Sequence, residues 1–251
     1  MKKLLALLVL VAILGVATWM VLSVNTEPQV ADTAKLRNKA AAAAQTQQDP
    51  GLRPKPGLYE YTGAGHERVQ VLGGTTNTFP RKITGIVTLQ DGCNWTLELT
   101  YLDDRTVTHH YCTTRTTITE SSWTEVVTFF GRSEDRTFTC SDAVRARQTP
   151  ATWKATCDGS DDSTSATRIE QQQGASYSFG TTTVHSVRAV TETTAVSGTT
   201  RGTARMLVWY LPTGLPARIK RSDDVRSKTF FGETPYTQES DYRLVSVTPS
   251  T

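Results

Sequence analysis

The segment CNWTLELTYLDDRTVTHHYC, Cys93 to Cys112, decides the fold class of this chain. Trp95, Leu97, Leu99 and Tyr101 alternate with Thr96, Glu98 and Thr100, so an extended backbone shows one apolar and one polar face. Asp103-Asp104 interrupts the alternation, and a second run rich in Thr and Val follows. Folding the chain at the two aspartates lays the runs side by side and brings the cysteines nearly opposite. Neighbouring antiparallel strands hold facing Cα atoms about 4.5–5.5 Å apart, within reach of a disulfide. With Val107 and Tyr111 turned to the face of Trp95 and Leu97, Cys112 falls one residue out of phase with Cys93, and one β-bulge would repair the mismatch. The segment therefore predicts a disulfide-bonded antiparallel hairpin.

The same pattern continues on both sides. After Gly57 helical periodicity is absent, and Thr, Val and aromatic residues dominate in KITGIVTLQ, WTEVVTFFG, RTFTC, TTTVHSVRAVTETT, ARMLVWYL, ARIKR and YRLVSVTP. Branched side chains suit a pleated surface. Turn residues separate these runs at short intervals, among them Asp91-Gly92, Asp158-Gly159, Thr213-Gly214 and Asp223-Asp224. Short links join antiparallel neighbours, because parallel ones need a crossover of a dozen or more residues. The expected fold class is mainly β: a curved antiparallel sheet, half-barrel or barrel-like, over residues 58–251. Cys140 and Cys157 flank a turn at Gln148-Thr149-Pro150, so the expected disulfides are Cys93–Cys112 and Cys140–Cys157.

The N-terminus reads as an address. Leu4 to Val24 is free of charge and follows Lys2-Lys3. A helix of that length spans about 30 Å, the hydrocarbon thickness of a bilayer. The lysines favour an inside N-terminus, which places the rest of the chain outside the cytoplasmic membrane. Gly15-Val16-Ala17 offers a small-x-small cleavage site, but Trp19 to Leu22 carry the apolar run past it. The expected organisation is a transmembrane signal anchor over 1–24, a stalk over 25–57 and an ectodomain over 58–251. Within the stalk, ADTAKLRNKAAAAAQTQQ is composed of good helix formers and shows no apolar stripe, so a short solvated helix is expected before DPGLRPKPG ends it.

Leu211-Pro212-Thr213-Gly214 resembles a sortase signal but lacks the residue between Pro and Thr, and strand-like sequence follows it. It reads instead as the turn between a strand, Met206–Leu211, and its return, Leu215–Arg221. The first strand is apolar on both faces, with Leu207, Trp209 and Leu211 on one and Met206, Val208 and Tyr210 on the other. A strand of this kind is covered on both sides. The second cover is another sheet, a helix or a ligand.

A Trp-bearing strand, a tight turn and Gly-Leu-Pro-x-Arg on the return resemble bacterial envelope proteins of the lipoprotein-carrier type, over about Thr181 to Pro249. That resemblance implies a half-barrel around an apolar cavity. The chain end PYTQESDYRLVSVTP, with the hairpin cysteines, resembles uncharacterised membrane-anchored envelope proteins of actinobacteria.

Little points to catalysis. His109 and His110 are neighbours on a strand and so face opposite ways, which prevents joint metal ligation. CDGSDDS, Cys157 to Ser163, lacks a calcium-loop pattern. GAGHER lacks the third glycine of a phosphate cradle, and no G-x-S-x-G occurs. Asn94-Trp95-Thr96 fits a glycosylation acceptor but begins a strand that should pack. Net charge is +3 without a basic block, which argues against nucleic acid as a partner. No metal or cofactor is expected, nor enzymatic activity. Phe129-Phe130-Gly131 and Phe230-Phe231-Gly232 each set two rings on opposite faces before a turn. The expected function is a non-catalytic extracytoplasmic binding module that holds an apolar ligand or lipid at Trp209, Tyr210, Leu207, Leu211 and Phe230. The alternative is a structural or accessory envelope subunit that binds another protein through its β surface.

Overall fold

A computed structural model describes residues 29–45, 51–70, 74–129, 132–229 and 232–250. The expected anchor over residues 1–24 lies outside the described residues, as do Phe130, Phe230 and Phe231. Among the described residues no helix is long and apolar enough to cross a membrane.

Helix α1 (Thr33–Gln45) is followed by fourteen strands: β1 (Gly57–Val69), β2 (Thr75–Phe79), β3 (Lys82–Leu89), β4 (Asn94–Leu102), β5 (Arg105–Thr113), β6 (Thr117–Phe129), β7 (Arg132–Arg147), β8 (Thr152–Gly159), β9 (Thr164–Gln171), β10 (Ala175–Phe179), β11 (Thr182–Ser197), β12 (Thr200–Tyr210), β13 (Pro216–Thr229) and β14 (Gly232–Leu244). All pairings are antiparallel and mostly follow chain order. β14 returns to β1, and β9 pairs with β11, so twelve strands close into an up-and-down barrel. β2 hangs on β1, and β10 hangs on β11. Closure removes the exposed sheet edges of a half-barrel. The barrel-like expectation holds, and the open half-barrel is replaced by a closed wall.

Eight strands already make an interior just wide enough for side chains to fill, so twelve in a round section would leave a lumen. This interior is filled because opposite walls touch. Tyr111 on β5 meets Tyr210 on β12 edge to face at 6.4 Å between ring centres. Arg221 on β13 reaches Glu125 on β6 at 3.5 Å. Inward positions are apolar over the middle of the barrel, where Trp95, Leu97, Leu99, Ile118, Phe138, Ile169 and Val208 are buried.

The founding hairpin pairs as its sequence predicts: Trp95 faces Tyr111, Leu97 faces His109 and Leu99 faces Val107. Both expected disulfides are present. Cys140 and Cys157 are directly paired residues with Cα atoms 4.0 Å apart. For Cys93 and Cys112 the phase mismatch is real, but it is not repaired by a bulge between them. Cys93 precedes β4, in the turn after Gly92 (φ +65°), and that turn brings its Cα within 4.8 Å of Cys112.

The turn reading of Leu211–Gly214 also stands. Gly214 N–H donates to Leu211 O at 2.9 Å, and Leu211 N–H donates to Leu215 O at 2.9 Å. This turn closes one end of the barrel. Thr113 Oγ1 accepts from Trp95 Nε1 (3.0 Å) and donates to Thr213 O (3.1 Å). A Cβ on Gly214 would lie 2.5 Å from Thr113 Oγ1, and its φ is +92°, so both space and backbone select glycine.

The stalk is where the sequence reading needs most correction. Asp32 Oδ1 accepts from the N–H groups of Ala34 (2.8 Å) and Lys35 (3.3 Å), which caps α1. Leu36, Ala40 and Ala43, one face of the helix, pack on Ile86 and Leu58 of the outer wall. Lys39 Nζ pairs with Glu98 of β4 at 2.7 Å. A stripe with one leucine among six alanines is nearly invisible in composition, because apolar and neutral faces of such a helix differ by a few methyl groups.

Candidate functional site

The proposed ligand contacts do not converge. Strand alternation turns Tyr210 into the barrel, where it is buried, and Leu211 is buried at the closing turn. Leu207 and Trp209 point outwards and are half-buried. Phe230 lies outside the described residues. The doubly apolar character of β12 is nevertheless explained. Its inner side packs in the core, and its outer side is covered by the hairpin of β10 with the first residues of β11. Tyr177 of β10 meets Trp209 edge to face at 5.2 Å, Phe179 lies 4.9 Å from Tyr177, and the Arg218 guanidinium sits 5.8 Å from the Trp209 ring. Arg218 is itself held to Asp241 by paired bonds of 2.9 and 2.6 Å. Trp209 Nε1 is buried without a hydrogen-bond partner.

Two polar networks lie inside the barrel, and sequence reasoning found neither. The first joins β5, β6, β7 and β11. Glu120 Oε2 accepts from Arg145 Nε at 2.7 Å and lies 2.6 Å from Nη2, while Oε1 lies 2.6 Å from His109 Nδ1. Burial works to raise the Glu120 carboxyl, but Arg145 and then His109 outweigh it and hold the group below its ordinary range. An ionised carboxylate only accepts, so the proton is on His109 Nδ1. Glu192 has one contact, Arg145 Nη1 at 3.2 Å, and its Oε1 is buried without a partner. Burial therefore dominates at Glu192 and raises it. Irregularities in the ladders create this geometry. Register shifts at Ser121 on β6 and Arg145 on β7 turn Glu120 and Arg145 inwards beside apolar neighbours.

The second network joins β1, β5, β6, β13 and β14. Arg105 contacts Glu67 (3.3 Å), Glu125 (2.7 Å), Tyr236 (2.7 Å) and Gln238 (3.1 Å). Arg221 bonds Asp223 at 2.6 Å. Burial works to raise Glu125, yet Arg105, Arg221 and Arg136 hold it down at about 2. Asp223 is raised by burial despite Arg221. Inward carboxylates and guanidiniums at period two among Thr and Val leave no mark that distinguishes them from outward ones. Only the face each strand turns to the lumen separates them.

Between the networks lies a cavity of about 30 Å³, lined by Leu97, Val107, His109, Tyr111, Met206 and Val208 among others. A single water needs about 10–15 Å³ on this scale, so the space suits one or two waters. Among the described residues no three His, Cys, Asp or Glu side chains gather as a metal ion would require. His109 turns inwards, and its neighbour His110 pairs with Ser122 on the opposite face.

Comparison with protein-family models, with curated proteins and with solved structures found no match.

Proposed function

We propose that this chain is a non-catalytic extracytoplasmic module, held at the cytoplasmic membrane by residues 1–24, that serves as an accessory envelope subunit and docks another protein on the outside of its barrel. The observation that carries this reading is the occupied interior. The chain's own aromatic side chains and ion pairs span the lumen from wall to wall, and the cavity between the two networks is about 30 Å³. Ligand pockets that enclose a drug-sized molecule are an order of magnitude or more larger, at roughly 300–1,000 Å³. Arg145 pairs with Glu120 and Glu192, Arg105 with Glu67 and Glu125, and Arg221 with Asp223, so each of these interior carboxylates has a guanidinium beside it.

The outer surface supplies the docking feature. Among the described residues strand β10 pairs only with β11, so its second edge stands at the end of the hydrogen-bonded sheet. Beside it, Tyr177, Phe179, Trp209 and Leu207 form a half-exposed aromatic and apolar patch next to Arg218. An extended segment of a partner protein adds to such an edge by backbone hydrogen bonds and sets apolar side chains against the patch. The test is a photo-crosslinking residue placed at Tyr177 and, as control, at outward-facing Thr124, in the full chain in native membranes. A discrete protein adduct at 177, absent at 124 and lost with Trp209→Ala, supports the reading. Equal adducts at both positions, or a lipid retained one-to-one by the purified chain, refute it, and the latter restores the lipid-carrying alternative.

A further inference from the structure

The outer wall beside β10 carries more positive charge than its own carboxylates balance. On the outward face of β12, Trp209 pairs across the sheet with Arg218 of β13, and Arg218 pairs in turn with Arg243 of β14. Two residues along the same strands, Leu207 faces Lys220, and Lys220 faces Asp241. Asp241 spends both oxygens on Arg218, at 2.9 Å from Nε and 2.6 Å from Nη2. Those bonds hold its carboxyl below the ordinary range against partial burial, and Arg243 and Lys220 add to the effect. Among the described residues neither Arg243 nor Lys220 forms an ion pair, and both are exposed. Arg205, on the same outward face of β12, is exposed and unpaired as well. From Trp209 to Arg205, this face of β12, β13 and β14 therefore sets four cations, Arg205, Arg218, Lys220 and Arg243, against two carboxylates, Asp241 and Glu239.

That excess costs the free barrel something. Like charges directly opposite on neighbouring strands destabilise a sheet, and Arg218 and Arg243 are directly opposite. The excess also adjoins the docking feature. Tyr177 of β10 packs on Trp209 at 5.2 Å, and its phenol, raised by burial, feels the opposing pull of Arg243 and Arg218. An open strand edge, an aromatic patch and unpaired cations thus stand together.

We infer that the segment received at the edge of β10 is acidic: an extended stretch of a partner protein that sets apolar side chains on Tyr177, Phe179 and Trp209 and carboxylates against Arg243 and Lys220. This rests on the docking reading proposed above and names the chemistry of the partner. Complementary charge across an interface steers encounter and rejects wrong partners. A second copy of this chain is a worse occupant, because a two-fold contact sets the same patch against itself and brings like charges together. A lipid headgroup or another polyanion would meet the cations but leave the backbone groups of the β10 edge unused.

The test uses the full chain in lipid nanodiscs and the fluorescent peptide Glu-Glu-Val-Phe-Glu-Glu-Val-Phe-Glu-Glu, which puts both kinds of side chain on each face of a strand. Counterparts carry Gln or Lys in place of Glu. In anisotropy titrations the affinities should fall in the order Glu, Gln, Lys. Binding of the Glu peptide should weaken as NaCl rises from about 0.1 to 1 M, which cuts the screening length from roughly 10 to 3 Å. Lys220→Gln/Arg243→Gln should weaken the Glu peptide by roughly five- to thirtyfold, as the loss of two exposed ion pairs would, and leave the Gln peptide and the melting temperature unchanged. Lys154→Gln, at an exposed cation of β8, should change neither peptide. Methylating the alternate amides that face β10 should abolish binding, while methylating the other set is tolerated. Equal affinity for the Glu and Gln peptides overturns the acidic partner and leaves docking at the edge standing. Charge-dependent binding that tolerates methylation of both sets overturns it in favour of a general polyanion site. A photo-adduct from position 177 to a second copy of the chain overturns it too. Failure of all three peptides to bind overturns the inference, while crosslinking at 177 in native membranes decides the docking reading separately.

Discussion

Replacing Arg145 by Met probes the network that closes one side of the barrel. The guanidinium is nearly buried and carries two carboxylates, Glu120 through two nitrogens and Glu192 through a third. Methionine keeps much of the length but none of the charge. Glu120 is then left with His109 alone, and Glu192 with no cation at all. Removing one member of a buried ion pair costs about 3–5 kcal/mol, because the remaining charge stays desolvated. For a domain of this size each kcal/mol moves Tm by about 2–4 °C, so thermal unfolding at pH 7 with intact disulfides should show a fall of roughly 6–20 °C. The deficit should also depend on pH. In the parent chain the folded carboxyl of Glu120 is held below its unfolded value, so its stabilisation is present above the unfolded value and fades as pH falls through the folded one. In the variant both carboxyls are raised instead, and they destabilise increasingly as pH climbs above the unfolded value. The two melting curves should therefore approach one another towards pH 4 and separate towards neutrality. Adding Glu120→Gln and Glu192→Gln to the variant removes the stranded charges and should recover at least half of the loss. The reasoning fails if Arg145→Met melts within about 3 °C of the parent at pH 7, or if the triple variant recovers nothing, since about 1 kcal/mol is what an exposed pair would cost.

Other expectations follow from single contacts. Glu125→Gln should lower stability at neutral pH, and the deficit should shrink as acid is added, because Glu125, held at about 2, stabilises fully above its unfolded value and loses that contribution as pH falls through about 2; urea titrations at pH 7 and pH 3 measure it. Gly214→Ala should shift the urea midpoint by the equivalent of about 1–3 kcal/mol, from the positive φ and the approach to Thr113, whereas Gly92→Ala, with nothing within 4 Å of its Cβ, should lose only the backbone share. Cys93→Ser/Cys112→Ser should cost about 2–5 kcal/mol, read as a lower melting temperature without change in far-ultraviolet dichroism. Trp209→Ala should cost less than the roughly 3–5 kcal/mol of a buried aromatic, since the ring lies on the outer wall, while it abolishes the Tyr177 crosslink.

The strands, their antiparallel order, both disulfides and the Leu211–Gly214 turn were legible in the sequence by itself. Each depends on residues close in the chain: alternation of period two, a glycine or aspartate pair at the bend, cysteines flanking one turn. Closure was not legible, because whether β14 meets β1 and β9 meets β11 depends on accumulated twist and tilt over twelve strands and not on any local pattern. The same limit explains the site residues. Alternation had already set Tyr210 on the face opposite Leu207 and Trp209, and closure of the barrel made the first face inside and the second outside. No motif in the sequence set Glu120, Arg145 and Glu192 apart from the other charges, and register shifts at β6 and β7 turned two of them into the lumen. Alternation marks two faces of a strand. Only the closed tertiary structure decides which face is enclosed, and enclosure is what converts a carboxylate and a guanidinium from solvated side chains into a buried network.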